Sequence, residues 1–291
     1  MSLTLCTLSI LFPGKLLTYL RWDSTWMDRP KWIISRIVKL LRQLPRLCAL
    51  SLIINKSSKR FEHLIDCVAK LHNLRKLSIK FIFGRYVRTC PKINSIVKII
   101  AANPNLTHLE LLYDEAFLDE EFYGDSIEYL AQTLRHVPAD RPLKLEHLRI
   151  SPCFYNSAAL APHIASLTSI DIENSNILNE FLKQNIFPPT MTFRSMDQDT
   201  IDYLDRHPRI VSQTVYDCND ASICSILLGI LSRHSETLTH LGFCHWMLFQ
   251  CIGQTQNELA LLQCTNLKQL LLVYRSPWSR WKPVSERQKV S

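Results

Sequence analysis

Glycine is scarce in this chain: six in 291 residues, at Gly14, Gly84, Gly124, Gly229, Gly242 and Gly253. No two are close enough to form a phosphate-cradling loop, which argues against nucleotide-dependent catalysis. Long apolar runs are also missing. The longest near the start, LTLCTLSILF, has ten residues, follows no basic segment and is closed by Pro13, Gly14 and Lys15. A bilayer span needs about 20 apolar residues, so neither a membrane helix nor an export signal is expected. The ten cysteines include no C-x-x-C pair and lie mostly inside apolar runs, where a thiol behaves as a small buried hydrophobe. That usage predicts a reducing, intracellular setting, cytoplasmic or nuclear. The sequons at Asn55 and Asn105 are then idle. The H-E-x-x-H, G-x-S-x-G and protein-kinase motifs are absent as well. The expectation is a protein that is not an enzyme, with no catalytic residues, no metal and no cofactor.

Charge, by contrast, is present and unevenly placed. The formal net charge is +8. Eight basic residues and no acidic one lie between Lys70 and Lys98, while Asp114 to Asp125 holds six acidic residues and no basic one. The segment from Arg275 carries five basic residues against Glu286. These are local patches, and a uniform positive field is not implied.

The dominant feature is a repeat. In LCALSLIIN, Leu47, Leu50 and Leu52 stand at offsets 0, 3 and 5, with Asn55 at offset 8. The same apolar spacing returns in LRKLSI from Leu74, LTHLEL from Leu106, LEHLRI from Leu145, LTSIDI from Leu167, LTHLGF from Leu238 and LKQLLL from Leu267. Two earlier segments fit too, Leu17-Leu20-Trp22 and Leu5-Leu8-Ile10, of which the first is preferred. The offset-3 residues stand at 20, 50, 77, 109, 148, 170, 241 and 270, with successive differences of 30, 27, 32, 39, 22, 71 and 29. Most differences match the period of a leucine-rich repeat. The 71-residue interval predicts two degraded strands, around Phe193 and Val215.

Amphipathic helical patterns lie between the copies. PKWIISRIVKLLRQL, FEHLIDCVAKL and DSIEYLAQTLRHV are three; DASICSILLGILSRH is a fourth, with Ile223, Ile226, Leu227 and Ile230 assigned to one face. A strand followed by a helix, recurring at this period, buries its apolar side only by stacking on its neighbours. The predicted fold is α/β, an irregular leucine-rich-repeat solenoid: a ribonuclease-inhibitor-like horseshoe with parallel strands inside and helices outside. It is expected to form one domain over 1–275, with 1–14 as an N-terminal cap and 276–291 as a basic tail. An ordinary α/β domain would need Gly-rich strand-to-helix turns that this chain lacks.

The segments LPRLCALSL, LHNLRKLSI, NPNLTHLEL and RPLKLEHLRI, each after a helix, resemble those of the F-box-like leucine-rich-repeat proteins abundant in fungi. The resemblance covers about residues 15 to 275. It implies protein binding, with repeats that select a substrate for a cullin-type ubiquitin ligase whose adaptor docks on a helical F-box. No F-box segment is found ahead of the first repeats, so only the recognition half carries over. A ligase adaptor would then be a partner only through an F-box outside this chain.

Alternation within the strands marks one surface. With offsets 3 and 5 inward, offsets 2, 4 and 6 face outward on the concave sheet. The binding face is assigned to Lys76, Lys80, His108, Glu110, His147, Arg149, Asp171 and Glu173, together with Ser78, Leu112, Ser151 and Ser169. His108 and His147 should be neighbours, but no third ligand joins them for a metal. Farther along, His240, Gly242 and Cys244 continue the outward set, and Cys244 and His245 are read as strand-end residues. The acidic stretch 114–125 is read as a solvated loop. The tail, with Trp278 and Trp281, is read as packing a tryptophan on the last repeat, followed by disorder. The functional expectation is recognition of a protein partner on the concave face, with no membrane. The alternatives are a scaffold outside any ligase and, more distantly, nucleic-acid binding through the basic patch.

Overall fold

In the computed structural model, the residues described are 19–23, 46–55, 68–82, 93–113, 137, 141–151, 160–172, 175–216, 221–243 and 255–273. They fall into two compact units, one comprising residues up to Glu173 with 180–188, the other 174–179 with everything from Pro189 onward.

The first unit contains strands β1 (Tyr19–Asp23), β2 (Ala49–Asn55), β3 (Lys76–Ile82), β4 (His108–Tyr113), β5 (His147–Ile150) and β6 (Ser169–Ile172). Each is parallel to the one before it. The offset-3 residues pair in one line, Leu20 with Leu50, Leu50 with Leu77, Leu77 with Leu109, Leu109 with Leu148 and Leu148 with Ile170. This register selects Leu17-Leu20-Trp22 as the first described copy; Leu5-Leu8-Ile10 lies outside the described residues. Leu50, Leu77, Leu109, Leu148 and Ile170 are at most 2% exposed, so the leucine spacing builds the core. Helix α1 (Ile93–Ala101) lies between β3 and β4 and buries Ile96, Ile99 and Ile100, one face of a 3.6-residue period. It ends at Ala101, two residues before Asn103, which precedes Pro104 and is thereby pushed out of helical backbone.

Strand entry is fixed by a backbone ladder from repeat to repeat. The carbonyl before each strand accepts two N–H groups from the next copy: Cys48 from Arg75 and Lys76, Arg75 from Thr107 and His108, Thr107 from Glu146 and His147, Glu146 from Thr168 and Ser169. Thr107 and Thr168 add their hydroxyls to the same carbonyls, Arg75 O at 3.3 Å and Glu146 O at 3.0 Å. Asn103, fully buried, donates to Leu71 O and Ile99 O and accepts from Leu74 N, all within 2.8 Å. An asparagine was expected where the chain leaves the strand, as at Asn55. Asn103 bridges copies where the chain enters the strand; the side chain of Asn55 lies outside what the structure describes.

Helix α2 (Asn176–Lys183) ends in a 6→1 bond from Ile186 N to Phe181 O, with Asn185 at φ 54°. Asparagine tolerates that left-handed conformation and closes the helix without a glycine.

The second unit contains β7 (Thr190–Phe193), β8 (Ser212–Val215), β9 (His240–Phe243) and β10 (Gln269–Leu272), parallel and paired in chain order. Helices α3 (Gln198–Arg206), α4 (Ala221–Ser232) and α5 (Thr255–Leu262) alternate with these strands, α3 packing on α4 and α4 on α5. Asp197 caps α3 by accepting from Thr200 N at 2.9 Å, and it also receives the Ser175 hydroxyl. The two degraded strands are present, but their phase differs from expectation. Met191 pairs with Gln213 and Gln213 with Leu241, so the offset-3 positions are 191 and 213; Phe193 and Val215 occupy offset 5. The slip is two residues, which leaves every side chain on its predicted face. The 71-residue interval thus divides into 21, 22 and 28.

Three expectations about burial change. Helix α4 buries Leu227 and Ile230 as expected, together with Cys224, Leu228 and Leu231, whereas Ile226 is 47% exposed, because a helix apolar all round gives periodicity no face to select. In β10, Leu270 and Leu272 were placed inward but are 44% and 42% exposed. In the first unit, Leu112 and Ser151, taken as outward, are buried at the strand ends. With nearly all inner positions apolar and successive parallel strands in register, each unit is a leucine-rich-repeat stack, and the helices described between strands give it α/β architecture. The pattern at 30–44, the segments 61–67 and 125–136 of two others and the N-terminal segment 1–14 lie outside the described residues, as do the acidic stretch and the C-terminal tail.

Candidate functional site

Strand pairing arranges the outward side chains of the first unit in rows about 4.8 Å apart from strand to strand. One row runs Lys76, His108, His147, Ser169 and the next Ser78, Glu110, Arg149, Asp171. Lys80 begins a third, opposite Leu112. Seven of the eight predicted site residues therefore lie on one contiguous sheet face. The eighth, Glu173, lies outside the described residues.

The side chains on this face hold one another in place. Ser78 Oγ donates to Glu110 Oε2 at 2.7 Å. His147 Nε2 stands 3.6 Å from Glu110 Oε1, too far for a hydrogen bond but close enough for attraction if the ring is charged. On its other side His147 Nδ1 shares a 3.1 Å hydrogen bond with Ser169 Oγ. His108 Nδ1 is 2.9 Å from its neighbour Thr107 Oγ1, and the two imidazoles lie 5.7 Å apart, tilted by 32°. Arg149 Nε approaches Asp171 Oδ2 to 2.9 Å, an ion-pair contact whose angle does not make it a hydrogen bond. Both partners are largely covered, at 24% and 15% side-chain exposure. Lys80 is half-buried, whereas Lys76 is exposed.

These contacts set the protonation states. The His147 imidazole, then the Ser78 hydroxyl and the Arg149 charge, bring Glu110 down from 4.5 to about 2, against the opposing effect of burial. Burial pushes His108 below its ordinary value, and the positive charge of Lys76 and nearby His147 push it further in the same direction.

Ser169, His147 and Glu110 stand in the order of nucleophile, base and orienting acid. Two features separate them from a working triad. The His147–Glu110 link is open at 3.6 Å, and the Ser169 N–H is committed to Glu146 O, which removes it as an oxyanion donor. Among the described residues no group of three or more His, Cys, Asp or Glu side chains could hold a metal ion. No helix there is long and apolar enough to cross a membrane. What this face offers is a pattern of charge and hydrogen bonding.

In the second unit the matching rows are Thr190, Ser212, His240, Gln269 and Thr192, Thr214, Gly242, Leu271. Thr239 and His240 repeat the pairing of Thr107 and His108, at 2.7 Å between Oγ1 and Nδ1. Thr239 Oγ1 also donates to Val211 O at 3.0 Å. The threonine in LTHL, LTSI and LTHL is therefore a structural signal that attention to leucine spacing overlooked. Gly242 is buried, and a Cβ there would come within 2.9 Å of Thr214 Oγ1. Cys244 and His245 lie outside the described residues.

No protein-family model matches the chain, and no curated protein matches it. Among solved structures it is similar to the leucine-rich repeat-containing protein LegL7 from Legionella pneumophila. The identity is 15%, covering 90% of this chain and 84% of that one, with a TM-score of 0.48. Human 5T4, also titled Wnt-activated inhibitory factor 1 and trophoblast glycoprotein, is similar at 17% identity, over 69% of this chain and 64% of that one, with a TM-score of 0.26. The repeat assignment stands on the register and burial within this chain.

Proposed function

We propose that this chain is a protein-recognition module and that its partner docks on the outward sheet face of the first unit. The observation that carries this reading is the register that places Lys76, Ser78, His108, Glu110, His147, Arg149 and Asp171 in two adjacent rows. Because Ser78, Glu110, His147, Arg149 and Asp171 already hold contacts on this face, little of their conformational freedom is lost when a partner arrives. Specificity then comes from matching a fixed charge pattern. Lys80 and Glu173 extend the face in this reading, which places the single repeat array over 1–275 in a reducing compartment.

The F-box-like resemblance extends the reading to substrate selection for a cullin-type ubiquitin ligase, the chemistry belonging to other subunits. The competing assignment is a scaffold outside any ligase.

The test is affinity capture with the intact chain and with two variants. In the double variant Arg149→Glu with Asp171→Lys, the ion pair is reversed but not broken; Lys76→Glu changes an exposed charge. Each should lower partner recovery at least about tenfold, in line with the cost of mismatched interface charge, while thermal unfolding stays close to that of the parent. Undiminished recovery with both variants would place the binding surface elsewhere. Co-recovery of the ligase adaptor separates the ligase reading from the scaffold.

A further inference from the structure

The two outward rows of the first unit differ in how their charges are used. In the row of Ser78, Glu110, Arg149 and Asp171, both acids already have partners: Glu110 takes the Ser78 hydroxyl and faces His147, and Asp171 meets Arg149. The row of Lys76, His108 and His147, successive neighbours by register, contains no acid. Lys76 is exposed, and among the described residues no carboxylate stands within ion-pair distance of it. His147 has a neighbour at each ring nitrogen, Ser169 at Nδ1 and Glu110 at Nε2. His108 differs. The Thr107 hydroxyl donates its proton to Arg75 O, so its oxygen accepts from His108 Nδ1–H at 2.9 Å. The neutral His108 ring then has no proton on Nε2, and among the described residues that atom has no hydrogen-bond partner. A second proton can enter only there, turning Nε2 from acceptor into donor.

We propose that the partner of this face presents a carboxylate, from an acidic protein segment, to Lys76 and His108. This rests on the docking reading above and names the chemistry that the partner brings. The charged and titratable groups facing His108 come from three strands: Lys76 on β3, Glu110 on β4, and Glu146 and His147 at the entry and start of β5. Burial, then Lys76 and His147, outweigh the two acids and keep the ring neutral. A carboxylate seated between Lys76 and His108 reverses that balance, and Nε2 takes up a proton and donates it in a hydrogen bond to the carboxylate. Binding therefore draws in a proton and tightens as pH falls. A dense run of phosphates suits the face less well, because Glu110 and Asp171 stand in the adjacent row and Glu146 lies near His108. Acidic side chains of a protein segment can be spaced to avoid those groups.

The test uses the full chain and a synthetic decapeptide alternating glutamate and serine, compared with its glutamine–serine counterpart and with decauridylate. Proton NMR follows the titration of the His108 ring, assigned with His108→Gln. The acidic peptide should raise the pH at which His108 takes its proton, and its affinity should be about tenfold higher at pH 5.5 than at pH 7.5. His108→Gln should still bind the peptide but lose that pH dependence. Lys76→Gln, at an exposed position that leaves folding intact, should weaken binding at both pH values, and the neutral peptide should leave His108 where it was. An unmoved His108 titration would overturn the inference, as would a pH dependence that survives His108→Gln, an affinity indifferent to Lys76→Gln, or a neutral peptide that shifts His108 equally. Decauridylate moving His108 further than the peptide would overturn it in favour of nucleic acid. The readout needs no captured partner. An unmoved His108, with partner recovery still lost on exchanging Arg149 and Asp171, would remove the carboxylate and leave the docking face standing.

Discussion

The two units use the same strand spacing but put their polar groups in different places. In the first, the inner rows are aliphatic from Leu50 to Ile172, and the polar side chains line the outward face, joined across β3, β4, β5 and β6. In the second, the outward rows are mostly small or hydroxylic, and a polar side chain enters an inner row of the sheet, whereas the buried polar groups of the first unit, Asn103, Ser151 and His163, stand outside its strands. Gln213 is fully buried at a position occupied by leucine in β9, and His207 and His234 are buried, their rings 6.4 Å apart, with Tyr203 beside His207 at 5.7 Å. The repeat thus specifies which positions face inward without dictating that they be apolar. The docking face proposed above is where the polar residues remain outside.

The sharpest test of the first unit's architecture is Asn103→Ala. It removes three hydrogen bonds, two buried and one part-buried, that join the strand entry of β3 to the end of α1. The expected loss is about 3 kcal/mol, from buried backbone groups left without partners, read as a lower urea midpoint. A loss below about 1 kcal/mol would mean that this link is dispensable and the first unit's core depends on its leucines alone.

The complementary test in the second unit is Gln213→Leu. Gln213 Oε1 accepts no hydrogen bond, and Nε2 makes only a long 3.4 Å contact to Thr214 O. Replacing this amide with the side chain found at the same register position in β9 should stabilise the protein by about 1–2 kcal/mol, the cost of burying an unsatisfied polar group. Chemical denaturation checks it. A loss instead would show that the polar interior of the second unit is required, and the contrast between the units would be one of design.

How much of this was legible depended on whether a local rule governed the feature. The strand phase could be read from Leu47 to Ile172 and again from Leu238 to Phe243 because inward apolar residues at offsets 3 and 5 are a period-2 signal that tertiary structure preserves. The rows of the candidate site followed from that phase plus strand order, which is why Lys76, His108 and His147 were grouped correctly. Their internal contacts were not legible, since the rotamers that bring Ser78 to Glu110 or Arg149 to Asp171 depend on neighbours tens of residues away. Gln213 hid the phase of β8 because the nearest apolar residue, Val215, sits two positions on. Asn103 was missed because asparagine was sought at the strand exit, although Asn before Pro at the end of an apolar helix was visible in AANPNL. Asn266 in CTNL, donating to Glu236 O at 2.6 Å, is a second entry-side asparagine.

The smallest expected effect concerns the charged face itself. Glu110 is held at about 2 against an ordinary 4.5, so its contribution to stability is complete above pH 4.5 and lost as pH falls from 4.5 toward 2. His108, held below 6.5, has the same sign: the folded chain favours its neutral ring, and that preference is lost as pH falls below 6.5 through the lowered value. Acidification should therefore weaken the first unit in two stages, His108 before Glu110. Glu110→Gln keeps an acceptor for Ser78 but gives up the charge, and at neutral pH it should cost about 1 kcal/mol, the order of a charge-assisted contact on a part-exposed face. Urea midpoints of parent and variant measured from pH 7 to pH 2 should converge over the lower stage only. A gap that persists unchanged to pH 2 would mean that the carboxylate is not held by its neighbours, and that the face is less preorganised for a partner than its geometry implies.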